Sequence, residues 1–142
     1  VIHMSKISTI IFDLDGVIAD SEKLYDIADS ELFERHGKVY NREELIGHVV
    51  GMHFGDAVAH IREKYSIDVP LEDLIVERKK QLERVFEAHL EYVPGFLDFC
   101  DIVQKMSIKT CVATASSVQS ILAIEKEKLQ LEKLFGKHIY SI

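Results

Sequence analysis

Two rhythms of apolar and polar positions alternate along this chain. Ile7, Ser8, Thr9, Ile10, Ile11 and Phe12 form a short, β-branched and nearly continuous apolar run. Such a run reads as a parallel strand covered on both faces. From residue 21 the rhythm becomes helical. Leu24, Ile27, Ala28 and Leu32 recur at steps of three and four through residue 36, and Gly37 closes the segment. Asn41, with Glu44 three residues on, predicts an N-cap and its capping-box partner, opening a short helix through Val50. Gly51 to Gly55 reads as a loop. Val58, Ile61 and Tyr65 mark a third amphipathic helix. Pro70 suits a helix start, and Leu71, Leu74, Ile75, Leu82, Val85, Phe86 and Leu90 line one face of a long fourth helix.

No strand pattern interrupts residues 20–90. An insertion of about seventy residues is far longer than an ordinary crossover between strands. The α/β rhythm resumes after Tyr92-Val93-Pro94-Gly95. Phe96, Phe99, Cys100, Val103 and Met106 stripe the next helix, and Ile108 to Ala113 reads as a second strand. Thr114-Ala115-Ser116-Ser117 follows it directly. Val118, Ile121, Leu122 and Leu129 suggest one helix that ends at Leu134-Phe135-Gly136. His138 to Ile142 opens a third strand. The competing reading is an all-helical domain with a strand-like N-terminal tail.

The chemistry enters where the first strand should end. Asp13 and Asp15 stand two positions apart, and Gly16 lets the backbone turn at once. In open α/β sheets ligands bind outside the carboxyl ends of the strands. Two acids crowded there repel unless a cation or a shared proton relieves them. The economical reading is an Mg²⁺ site in which one acid attacks phosphorus and the other moves a proton. An ordinary Asp-Gly turn is the plain alternative. A calcium loop is another, but it needs further oxygen ligands and a Glu at its twelfth position. Val17, Ile18 and Leu24 occupy those places. A second candidate is Thr114 at the tip of the second strand. Its hydroxyl, with free backbone N–H groups at a helix start, would seat a phosphate, and the Ala115 N–H and Ser116 are further contacts.

The segment Phe12 to Ser21 resembles motif I of the haloacid dehalogenase superfamily, in the branch of β-phosphoglucomutase and phosphoglycolate phosphatase. The resemblance implies an α/β fold: a three-layer, Rossmann-like parallel sheet with an inserted all-helical cap. It divides the chain into core at 1–19, cap at 20–90 and core at 91–142. It makes Asp13 the nucleophile of an aspartyl-phosphate and Asp15 the general acid/base, with both at the Mg²⁺ site. Thr114 matches motif II. The implied function is an Mg²⁺-dependent phosphatase acting on a small phosphorylated metabolite, with Met52, His53 and Phe54 as cap residues toward the substrate. A hexose phosphomutase of the same family is the alternative. Mutases carry a His where Tyr25 stands and a cap-loop Arg where Phe54 falls, which favours hydrolysis. A non-catalytic binding protein is the rival from another class. A phosphate-accepting receiver domain also sets acids at strand ends, but the long helical insertion speaks against it.

The family also needs a Lys after the third strand and acids at the end of a fourth. No acid follows Glu132, and Lys137 precedes the third strand. The expectation is therefore a chain that lacks the C-terminal part of the core, with impaired activity or none. Its first strand would have an unpaired edge that invites self-association.

Composition narrows the partners. The chain has 142 residues, 47% of them hydrophobic, and a formal net charge of −7. That balance argues against a nucleic-acid surface, which needs a basic stripe. No apolar run approaches a membrane span, and no secretory signal pattern precedes the first strand. Cys100 and Cys111 make no metal spacing and no disulfide framework, so a reduced, cytoplasmic setting is expected. His48, His53 and His60 are the closest histidines, yet their spacing does not gather them on one helix face.

Overall fold

A computed structural model describes residues 7–141. Its sheet has three parallel strands in the order β1 (Thr9–Phe12), β2 (Lys109–Thr114) and β3 (Ile139–Ser141). Phe12 stands opposite Val112, and Val112 opposite Ile139. Between β1 and β2 run five helices: α1 (Glu22–Arg35), α2 (Arg42–Val49), α3 (Phe54–Lys64), α4 (Leu71–His89) and α5 (Phe96–Lys105). Between β2 and β3 run α6 (Gln119–Lys128) and α7 (Leu131–Phe135). Ile142 and the residues before Ile7 lie outside the described residues.

Local chemistry sets most of these boundaries. Gly37 adopts φ +63° after α1, and its N–H donates to the Glu34 carbonyl. The side chain of Asn41 accepts from the Glu44 N–H at 3.2 Å and starts α2. The Glu44 carboxylate does not return the bond; it pairs with Lys64 at 3.0 Å instead. Pro70 is the N-cap of α4, where a missing N–H costs nothing. Two boundaries differ from the sequence expectation. Phe54 and Gly55 belong to α3 and not to a loop, because His53 takes the N-cap. The single helix expected after Val118 is two, broken at Gln130, which adopts φ +47°.

Among the described residues one face of the sheet is covered and the other is open. The ring of Phe12 packs against Phe96 and Phe99 of α5 and against Phe135 of α7. Both crossovers step in the same direction, so right-handed connections lay their helices on the same side. The opposite side carries Ile11, Cys111, Ala113 and Tyr140, which are register neighbours. Ile11 is 66% exposed and Tyr140 55%. Among the described residues β1 is the edge strand, and its Phe12 side is the covered one.

The apolar core falls into two clusters. One joins the sheet to Leu24 and Ala28 of α1, Phe86 of α4 and Ile121 of α6. The other lies wholly within α1 to α4 and the turns between them, around Leu32, Phe33, Leu45, Ile61 and Leu74. Within residues 22–89 there is no strand. The chain enters and leaves this helical block side by side: Asp20 N–H donates to Glu91, and Val93 N–H donates to Ile18.

Candidate active site

Asp13 is the first residue beyond β1, and it is exposed. One of its carboxylate oxygens accepts the Leu14 N–H at 2.7 Å, which fixes the side chain against its own backbone. The loop then closes on itself. The Leu14 carbonyl accepts from Val17, Ile18 and Ala19, and Gly16 N–H donates to Ala19. Gly16 has φ +72°, which a side chain would strain. The bridge between Asp15 and Ala19 is made through neighbouring groups, so it leaves the Asp15 carbonyl free. That carbonyl and the outer Asp13 oxygen are hard oxygen donors.

Asp15 is half-buried, and Ser21 Oγ donates to it at 2.7 Å. Burial pushes its carboxyl above the usual carboxylate range. The Ser21 bond opposes that rise, and the nearby Asp13 charge adds to it. The two acids are therefore unlike. Asp13 is open at the strand end, whereas Asp15 holds its proton more readily.

β2 supplies the second half of the site. Extending the register beyond Phe12–Val112 sets Asp13 beside Ala113 and Leu14 beside Thr114. Thr114 is buried, and its Oγ1 accepts the Ser116 N–H at 3.1 Å. That leaves the hydroxyl proton of Thr114 to donate outward. Ala115 is exposed and Ser116 is half-buried. The helix does not begin at once, as expected. Residues 115–118 form a short loop, and α6 starts at Gln119 without a side-chain cap. Its first N–H groups remain available to an anion.

The expected cap residues separate. Met52 is exposed in the turn after α2, and His53 is exposed at the start of α3. Phe54 is half-buried, packs against both apolar clusters and lies 5.2 Å beneath the Arg78 guanidinium. None of the three makes a hydrogen bond or ion pair with Asp13 or Asp15 among the described residues. Lys137 precedes β3, at the end of the sheet away from Asp13.

Sequence reasoning gives no role to buried Ser21 and Glu125, and treats half-buried Tyr25 only as the residue that replaces a mutase His. Ser21 was read only as the end of the motif. Tyr25 packs edge-on against Phe86, and burial, with Asp15 and Glu125 nearby, pushes its phenol upward. Glu125 of α6 is fully buried, and neither carboxyl oxygen has a hydrogen-bond partner. Burial, and secondarily the Asp15 charge, raise it to about 8. Its signal was present: Ile121, Glu125 and Leu129 form one helix stripe, and the middle member is an acid. His48 and His60, on different helices, stack with ring centroids 5.3 Å apart. Among the described residues no group of three or more His, Cys, Asp or Glu gathers as a metal cage.

Known proteins resemble the chain in sequence and fold. The profile of the haloacid dehalogenase-like hydrolases matches residues 10–141. A phosphorylated carbohydrates phosphatase of Thermotoga maritima is 30% identical over 133 residues, which are 93% of this chain and 60% of that protein. (DL)-glycerol-3-phosphatase 2 of Arabidopsis thaliana is 29% identical over 78% of this chain and 46% of its own length. The solved structure of a conserved haloacid dehalogenase-like protein of unknown function from Agrobacterium tumefaciens superposes with a TM-score of 0.74. It is 26% identical and covers 96% of this chain, which spans 59% of it. The chain thus spans three-fifths or less of the length of these relatives.

Proposed function

The chain belongs to the haloacid dehalogenase-like hydrolases, and from that membership we propose that it carries the reacting groups of a phosphatase. Its substrate is a small phosphate monoester, in keeping with relatives named for phosphorylated carbohydrates and glycerol 3-phosphate. The observation that carries the reading is the unlike pair at the end of β1: an open Asp13, and an Asp15 whose carboxyl burial pushes up.

Asp13 attacks phosphorus in line. The Asp13–phosphorus bond forms as the bond to the leaving alkoxide breaks. Asp15, protonated, gives its proton to that leaving oxygen. It then takes a proton from water, which attacks the aspartyl-phosphate and releases inorganic phosphate and free Asp13. Ser21 keeps the Asp15 carboxyl aimed between these two tasks. The Thr114 hydroxyl, the Ala115 N–H and the uncapped start of α6 hold the phosphate oxygens, with Ser116 beside them keeping the Thr114 hydroxyl proton turned outward.

The donor set at the strand end fits Mg²⁺. Asp13 and the free Asp15 carbonyl are hard oxygens, and Mg²⁺ is commonly held by one or two carboxylates with waters and substrate phosphate. When bound there it would offset negative charge on the phosphate and nucleophile. No other acid joins this donor set among the described residues, so slow turnover by these 142 residues alone is part of the proposal. Residues 20–90 act as a cap over the core formed by 1–19 and 91–142. The paired passages at Asp20 and Glu91 serve as its hinge, and Met52 and His53 lie at its exposed turn. No helix among the described residues is long and apolar enough to cross a membrane. Two free cysteines suit a reducing compartment such as the cytoplasm.

The test is Mg²⁺-dependent hydrolysis of p-nitrophenyl phosphate by the chain and two variants. Asp13→Asn abolishes turnover. Asp15→Asn slows breakdown of the phosphoenzyme more than its formation from this activated ester. Retention of activity by Asp13→Asn overturns the assignment.

A further inference from the structure

Two histidines that share no helix face meet across two helices of the helical block. His48 lies on α2 and His60 on α3, and the turn Val50–His53 joins the two. Glu44 of α2 pairs with Lys64 of α3 at 3.0 Å, and one turn along, His48 stacks on His60. One number rises by four as the other falls by four, so the helices run antiparallel and set these positions opposite each other. Gly51, at φ +81°, lets the chain reverse between them. Both helices pack in an apolar cluster that has no residue from the sheet.

The two rings lie 26° from parallel, with centroids 5.3 Å apart. That separation is the one a shared metal ion requires. A tetrahedral ion holds each imidazole nitrogen at about 2.0–2.1 Å, which sets the centres of two rings on the same ion about 5 Å apart. His60 Nε2 is buried and has no hydrogen-bond partner, and such an atom asks for an explanation. His48 is exposed, so its ring is free to turn and present a nitrogen to the same ion.

We propose that His48 and His60 together hold one divalent transition-metal ion, of the class of Zn²⁺ and Ni²⁺, which clips α2 to α3. Imidazole nitrogens suit these ions, whereas Mg²⁺ prefers hard oxygens. The site is therefore chemically distinct from the oxygen donors at the end of β1, and independent of the reaction proposed there. The Lys64 charge one turn away is offset by Glu44, so the ion meets no unpaired cation on that side. No third His, Cys, Asp or Glu joins the pair among the described residues, so water completes the shell. Two protein ligands supply roughly half the binding free energy of a four-ligand zinc centre, which corresponds to a dissociation constant of about 1–200 μM. Bound there, the ion stiffens the turn that carries Met52 and His53.

Calorimetric titration of the whole chain with Zn²⁺ and with Ni²⁺, at neutral pH and with Mg²⁺ in excess, tests this. The expected result is a site for one ion per chain that Mg²⁺ does not displace. In the NMR spectrum the ring signals of His48 and His60 move together with Zn²⁺, while those of the other histidines stay. His48→Ala weakens binding at least about tenfold by removing one of the two ligands. His48→Cys, which returns a soft ligand to the same place, restores it. His60→Asn repeats the loss, and circular dichroism verifies that each variant folds; the exposed His48 variants suffice if the half-buried His60 variant does not. Equal affinity in His48→Ala, ring signals that move only at other histidines, or no binding below about 1 mM overturns the proposal.

Discussion

Buried charges in the helical block are paired, whereas the buried acid that faces the ends of β1 and β2 is not. In the block, Arg78 makes two hydrogen bonds to Asp29, at 2.8 and 2.9 Å, with both side chains buried. Tyr40 donates to Asp26 at 2.7 Å, and His36 meets Glu77 at 2.9 Å. At the strand ends, Asp13 has only its neighbour's N–H, α6 has no side-chain cap, and buried Glu125 has no partner at all. Buried polar groups are normally paired, and exceptions ask for an explanation. The block spends its polar residues on holding helices in register. The strand ends leave the outer Asp13 oxygen and the Asp15 carbonyl open. Single unpaired atoms occur in both regions, at His60 and Tyr65 in the block and at Ser120 in α6, but the one carboxyl among them, Glu125, lies near Asp15.

The largest effect should come from unbalancing the satisfied side. Arg78→Met leaves Asp29 buried without its partner, which costs about 3–5 kcal/mol. Urea unfolding reads the loss. Replacing Asp29 by Leu in the same chain should recover most of it, since a buried pair gains little over good apolar packing. If the double variant is as unstable as the single, the pair is not the unit that matters.

On the unsatisfied side the sign is reversed. Glu125 rises from 4.5 to about 8 in the folded chain. Below pH 4.5 both states hold the proton. Between there and about pH 8 only the folded state does, so stability falls as pH rises across that window and then levels. The drop is on the order of a few kcal/mol. Glu125→Gln, neutral at every pH, should flatten the slope and leave the variant more stable than the parent at pH 8. Chemical denaturation at several pH values checks it. An unchanged slope would mean that Glu125 finds a partner or solvent.

A smaller effect separates capped from uncapped helices. Asn41→Ala should cost about 1 kcal/mol by releasing the start of α2. Val118→Ser, at the uncapped start of α6, should gain stability of about half that size. Phosphate should then bind more weakly, because the new hydroxyl occupies donors that an anion would use. Calorimetric titration with phosphate measures it. If both variants behave alike, the contrast between the two helix starts is not real.

Much of this contrast was legible in the sequence because it is local. The acid pair after an apolar run, the Asn41 cap and the helical crossover each depend on residues within one turn of one another. Other features depend on what lies across the fold. That both crossovers lay their helices on one side of the sheet follows from the strand order, which no window of residues states. Phe54 stood between Gly51 and Gly55 and so read as loop, yet tertiary packing under Arg78 draws it into α3. The break at Gln130 requires a left-handed backbone, which glutamine seldom signals. The acid at Glu125 was visible in its stripe, but its meaning needed the neighbours that bury it.

The central claim is that Asp13 is the group that accepts phosphorus. The most direct test is peptide mapping by mass spectrometry of the Asp15→Asn variant, quenched in acid during reaction with p-nitrophenyl phosphate and Mg²⁺. The account predicts a base-labile phosphoryl group on the peptide containing Asp13, absent when Asp13 is also replaced by Asn. A phosphoryl group on any other residue, or its persistence without Asp13, would contradict it.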